Sequence, residues 1–268
     1  MIRVGLCTIA FREMLLEDVL CVAQRCGVDG VELWGREPHI CEHFNRERVE
    51  AEARLIASRG LEVSMFGSYV RLGVPREHGR GRLSAAESAV RTAQCLGAPL
   101  VRVWAGDCPS AQATAKLWKA CLADLKRMAE IAARHGVALA IEMHDNTLAD
   151  TGETTRRLIE DCGAENVFAN YQPSFAPEAD DPLERLEAVV DKVANVHAQN
   201  MDERVVDGVA RMVRVPIAEG RVNYEAVVER LKSAGFNGYV EVEFVAPGAL
   251  PKEEMAVRDV DFLRSIAR

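Results

Sequence analysis

The chain has 268 residues, 49% hydrophobic and 28% charged, enough to bury one large core. Its formal net charge of −8 and pI near 5.4 exclude an affinity built on neutralising the phosphates of a nucleic acid. Eight cysteines (Cys7, Cys21, Cys26, Cys41, Cys95, Cys108, Cys121, Cys162) are scattered without a CxxC pair, as expected of reduced thiols in a cytoplasmic protein rather than of a disulfide framework.

The opening MIRVGLCTIAF is too short an apolar run for a signal peptide, and no later run reaches the roughly 18 apolar residues of a membrane span. Within it, IRVGLCTI (2 to 9) is the first of eight short apolar or β-branched segments. The others are DGVELW (29 to 34), LEVSMFG (61 to 67), LVRVWAG (100 to 106), VALAIEM (137 to 143), NVFANYQ (166 to 172), VANVHAQ (193 to 199) and GYVEVEF (238 to 244). Each has the length of a strand buried on both faces. Between them lie LLEDVLCVAQRCG (15 to 27), RERVEAEARLIASRG (46 to 60) and AKLWKACLADLKRMAEIAARHG (115 to 136), whose three- and four-residue apolar spacing predicts amphipathic helices. Gly27, Gly60, Gly136 and Gly235 stand where such helices stop, a position that favours the left-handed conformation. Eight βα units of about 30 residues with no linker predict a single (β/α)8 barrel spanning 1–268. No GxGxxG or GxxxxGK[ST] follows a strand, which removes the nucleotide-binding reason for an open sheet.

In such a barrel, polar residues at the C-terminal strand ends share one mouth. The last four long strands each supply one metal-capable group there: Glu142, Gln172, His197 and Glu243. Two carboxylates, an imidazole and an amide carbonyl suit Mn2+ above all, with Mg2+, Co2+ or Zn2+ as alternatives. Of Glu241 and Glu243 we take Glu243 as the inward ligand and Glu241 as facing the helix layer. His144, two residues past Glu142, is a candidate acid or base, or the orienter of a ligand. Trp34, Tyr69 and Trp104, with Glu32 and Arg102 nearby, mark other strand ends, where an aromatic face either stacks on a sugar ring or plugs the barrel. The long connection 201 to 224 is expected to be a lid or specificity loop, and its Arg211, Arg214 and Arg221 are candidates to meet an anionic group, against a default of solvated charge.

IEMHDNTLADTGETTRRLIEDCGAENVFANYQPSF (141 to 175), VHAQN (196 to 200) and AEGRVNYEAVVERLKSAGFNGYVEVEF (218 to 244) resemble the xylose isomerase-like TIM barrels, a family of sugar isomerases and epimerases. The resemblance covers nearly the whole chain. It implies a single divalent ion held by Glu142, His197 and Glu243, with the two glutamates also moving protons at a substrate carbon. Gln172 stands where the family usually has aspartate, and Phe175 where relatives often place histidine. The missing carboxylate leaves the ion held less tightly and more strongly Lewis acidic. The implied function is metal-dependent isomerisation or epimerisation of a small keto-sugar by proton abstraction beside its carbonyl. Two alternatives stand beside it: a lyase or dehydratase acting on a keto-sugar or keto-inositol, and a non-catalytic sugar-binding or partner subunit. A carbohydrate ligand is expected, with no nucleic acid and no membrane; homo-oligomeric and heteromeric assembly both stay open.

Overall fold

The computed structural model describes residues 1–40, 43–74, 82–176 and 179–268; Cys41 and the side chains of 82–84 lie outside that description. Eight parallel strands form the predicted closed barrel: β1 (Arg3–Cys7), β2 (Gly30–Trp34), β3 (Glu62–Gly67), β5 (Leu100–Ala105), β6 (Ala138–Glu142), β7 (Val167–Tyr171), β8 (Val193–Ala198) and β11 (Tyr239–Val242). The two-residue β4 (Arg71–Leu72) lies against the end of β5, and one pairing, Phe66 with Val101, closes β3 onto β5. All eight strands predicted from the sequence are present within a residue or two of their expected limits.

Helices α1 (Leu16–Cys26), α2 (Arg46–Ser58), α3 (Arg82–Leu96), α4 (Ala115–Arg134), α5 (Gly152–Cys162), α6 (Pro182–Glu187), α7 (Tyr224–Ser233) and α8 (Lys252–Ala267) form the outer layer. Their starts follow local chemistry. Asn45, Thr114 and Asn223 each accept a bond from a backbone N–H three residues on, and Thr151 does the same within a reciprocal capping box. The four glycines expected to stop helices have φ between 67° and 75°. The apolar core sits between strands and helices, where Leu125, Leu139, Leu158, Val196 and Val260 have no exposed surface.

The connection 201 to 224 is not an irregular loop. It holds β9 (Asn200–Val206) and β10 (Val209–Val215), an antiparallel hairpin joined by Asp207 and Gly208 at φ 52° and 76°. Asp-Gly is the preferred pair for a two-residue turn in which both residues have positive φ, a signal already present in VVDGVA. Among the described residues no helix is long and apolar enough to cross a membrane.

Candidate active site

The interior of this barrel is polar where most such barrels are filled by branched aliphatic side chains. Glu32, Arg102, Asn170, Asn195, His197 and Glu241 are all at most 3% exposed. Room for the glutamates comes from glycines opposite them: a Cβ on Gly67 would lie 2.5 Å from Glu32 Oε1, and one on Gly5 2.5 Å from Glu241 Oε1. The register of the sheet shifts opposite Val31 and Glu32 of β2, where β3 carries the extra residue Ser64, and opposite Ala169 and Asn170 of β7, where β8 carries the extra residue Ala194.

His197 stands at the centre of the site. Its Nε2 donates to Glu32 Oε2 at 2.5 Å, and the same oxygen accepts from the Cys7 thiol at 3.0 Å. Its Nδ1 faces upward toward three oxygens: Gln172 Oε1 at 3.1 Å, Glu142 Oε1 at 3.3 Å and Glu243 Oε1 at 3.5 Å. The amide of Asn170 lies against the ring, 3.1 and 3.2 Å from its two nitrogens. With Nε2–H committed to Glu32, three acceptors and a ring nitrogen converge on one point, an arrangement that only a positive charge among them relieves. A cation with bonds of about 2.1 Å at right angles sets its ligands about 3 Å apart, close to the spacing seen. Ligand atoms of Glu142, His197 and Glu243 all lie within 4.8 Å of one another, so the donor set fits the divalent ion expected from the sequence. Cys7, Glu32 and His197 form a second close group, joined by hydrogen bonds of 2.5 and 3.0 Å that converge on Glu32 Oε2.

The charges are distributed unevenly. Burial would raise the Glu142 pKa, but Arg102, His197 and His144 pull it down to about 2. Arg102 Nε lies 3.4 Å from Glu142 Oε2 and its Nη1 3.8 Å from Glu32 Oε1, making one guanidinium the counter-charge to two buried carboxylates. Trp104 Nε1 also donates to Glu142 Oε2. Burial pushes Glu243 up to about 7, against the pull of His197. Burial alone would lower His197, but Glu32 and Glu243 hold it well above its ordinary value.

One assignment needs correction. Glu241 does not face the helices: it is fully buried inside the barrel, accepts from Ser64 Oγ at 2.7 Å, and is pushed up to about 8 by burial and the nearby Glu32. Residues two apart on a strand share a face, so Glu241 and Glu243 both point inward, one layer apart.

Above the carboxylates lies a cavity of about 510 Å3 whose lining includes Tyr69, Arg102, Trp104, Glu142, His144, Gln172, Gln199, Arg214 and Glu243. His144 stacks on Trp104 with ring centroids 4.7 Å apart, and its Nδ1 lies 2.7 Å from the Asp145 carbonyl. Trp34 supports the cavity from behind through a 2.7 Å bond from Nε1 to the Tyr69 hydroxyl. Arg221 does not line it; the side chain is 53% exposed and lies 3.8 Å from Glu203. Arg214, on β10, does reach it. Sequence reasoning named Glu32 and Arg102 only as neighbours of strand ends and missed Cys7, Asn170 and Gln199. The one available signal was polar residues within or at the end of otherwise apolar strands.

A 3-dehydroshikimate dehydratase of Bacillus anthracis is 24% identical over 244 residues, covering 86% of this chain and 87% of the relative. The crystal structure of a probable 3-DHS dehydratase, AsbF, from the same organism superposes with a TM-score of 0.79 at 21% identity, over 98% of this chain and 99% of that one. A xylose isomerase-like barrel from Mycobacterium smegmatis, solved with magnesium, gives 0.78 at 16% identity (99% and 96% of the chains). An L-ribulose 3-epimerase gives 0.74 at 19% identity (100% and 95%). The family model for xylose isomerase-like TIM barrels matches residues 20–266, and this chain belongs to that family.

Proposed function

We propose that this chain is a divalent-metal-dependent lyase that removes water from a small polyhydroxylated ketone, starting with loss of the proton beside the carbonyl. The observation that carries the reading is the convergence of Glu142, His197, Glu243 and Gln172 beneath one cavity. A divalent cation bound there supplies a Lewis acid for the substrate carbonyl, stabilising the charge that builds on its oxygen.

Elimination is favoured over epimerisation by the way the two glutamates are held. Both Glu142 oxygens are engaged, one by Trp104 and Arg102 and the other by His197. Glu243 is held by Gln199 Nε2 at 2.8 Å on one oxygen, with His197 3.5 Å from the other. Glu243 is then the base that takes the carbon-bound proton. The C–H electrons form the new double bond as the neighbouring C–O bond breaks, and His144 gives a proton to the departing hydroxyl, releasing water. Epimerisation shares the first step but returns a proton to the same carbon from the opposite face, the role the family resemblance gives Glu142, whose pKa Arg102 and His197 pull down to about 2. The dehydratase named above, a relative over most of its length, supports the same choice.

The test is incubation with metal in D2O of 3-dehydroshikimate and a panel of keto-sugars and keto-inositols. An unsaturated product lighter by one water supports the lyase. Deuterium entering a recovered or epimerised ketone without water loss supports epimerisation, and neither outcome in metal-loaded protein sinks both.

A further inference from the structure

We propose that Arg214, carried by the β9–β10 hairpin, recognises a single carboxylate on the substrate, so that the ligand class is a hydroxy-ketone acid rather than a neutral sugar or a sugar phosphate. This rests on the cavity already described being the substrate site.

Two guanidiniums line that cavity, and they are not equivalent. Arg102 faces two buried carboxylates. Arg214 has no acidic partner within ion-pair distance among the described residues. Its guanidinium lies 4.3 Å from the centre of the Phe244 ring, one Nη2–H donates to Gln199 Oε1 at 3.0 Å, and its Nε is buried with no hydrogen-bond partner. A half-buried cation whose N–H points at no acceptor is costly unless a ligand completes it. The guanidinium fork matches a carboxylate, which accepts two parallel N–H bonds.

The charge balance selects one negative charge. Among the side chains that line the cavity, Arg102 and Arg214 stand against Glu142, Asp145 and Glu243, one negative unit in excess, with Glu32 lying beneath the lining. A divalent cation turns that into one unit positive, which a monocarboxylate closes and a phosphate dianion overshoots. Gln199 links the anion subsite to the proposed base, since it accepts from Arg214 and donates to Glu243. A carboxylate on Arg214 would therefore sit within one side chain of the group that takes the proton.

The test uses non-reactive probes, so that it does not depend on turnover. Calorimetric affinities are measured with Mg2+ present for shikimate, for its methyl ester and for D-fructose 6-phosphate, on the wild type and on Arg214→Met and Arg214→Lys. The proposal expects the acid to bind wild type at least about 10-fold tighter than the ester. Arg214→Met should abolish that difference, and Arg214→Lys should retain part of it. Equal binding of acid and ester, an acid preference that survives Arg214→Met, or an Arg214-dependent preference for the sugar phosphate would each overturn the assignment. The D2O experiment fails or succeeds separately: acid selectivity without proton exchange would remove the lyase reading and leave the carboxylate subsite standing.

Discussion

Two interiors of this molecule are equally dry and chemically opposite. Between the strands and the helices the buried surface is aliphatic, as at Leu125, Leu139 and Val260. Inside the barrel, burial holds Glu32, Arg102, Asn170, His197 and Glu241. The first region is held by area removed from water, without direction, and tolerates exchange of one apolar shape for another. The second is held by specific partners, because each charge there is costly until it is paired. Stability resides mainly in the outer layer, while the inner one is committed to placing a nitrogen and three oxygens around one point.

The comparison can be broken most directly at Arg102. Replacing it with Met leaves Glu32 and Glu142 buried without their counter-charge, and a loss of about 3–5 kcal/mol in urea unfolding is expected. Leu125→Ala should cost about 2–5 kcal/mol. The two differ in kind: the Arg102 loss should shrink in acid as the carboxylates take up protons, whereas the Leu125 loss should not. Equal pH dependence would deny that the inner region is electrostatic. Glu243→Gln comes next, with turnover expected to fall about 10²-fold or more at near-normal stability. Activity close to that of the wild type would remove Glu243 as the base.

Glu32→Gln tests whether the layer beneath the ligands sets their chemistry. Glu32 fixes the direction of His197 through its Nε2 bond, so the variant should bind Mn2+ about 10- to 100-fold more weakly while melting within a few degrees of the wild type. Unchanged affinity would make Glu32 a packing residue only.

Glu241 separates the two regions by pH alone. Burial raises its pKa to about 8 from an ordinary carboxylate value, so the folded state binds the proton more tightly than the unfolded chain. Its stabilising contribution is complete below the unfolded value near 4.5 and is lost as pH rises through 8. Glu241→Gln should therefore gain stability relative to the wild type on going from pH 5 to pH 8. A pH-independent difference would contradict the buried, proton-holding role.

Much of this was legible in the chain. Alternating short apolar runs, amphipathic segments and terminal glycines carry their own periodicity, and they located all eight strands. Glu142, Gln172, His197 and Glu243 were legible as a candidate set because a polar residue closing an apolar strand is conspicuous. Glu241 was misplaced by a parity error, not by lack of signal: it shares a face with Glu243. The hairpin was written in VVDGVA but read as loop.

The sequence by itself determined which segments become strands, where helices begin and stop, and that polar groups gather at one mouth, because these follow from local period and backbone chemistry. Only the tertiary structure decided that Glu32 from the second barrel strand bonds His197 from the seventh, 165 residues away. It also decided that Arg102 serves two glutamates, and that Arg214 rather than Arg221 turns to the cavity. Those choices depend on barrel stagger, strand register and the orientation of a hairpin, distances through space that no spacing along the chain encodes.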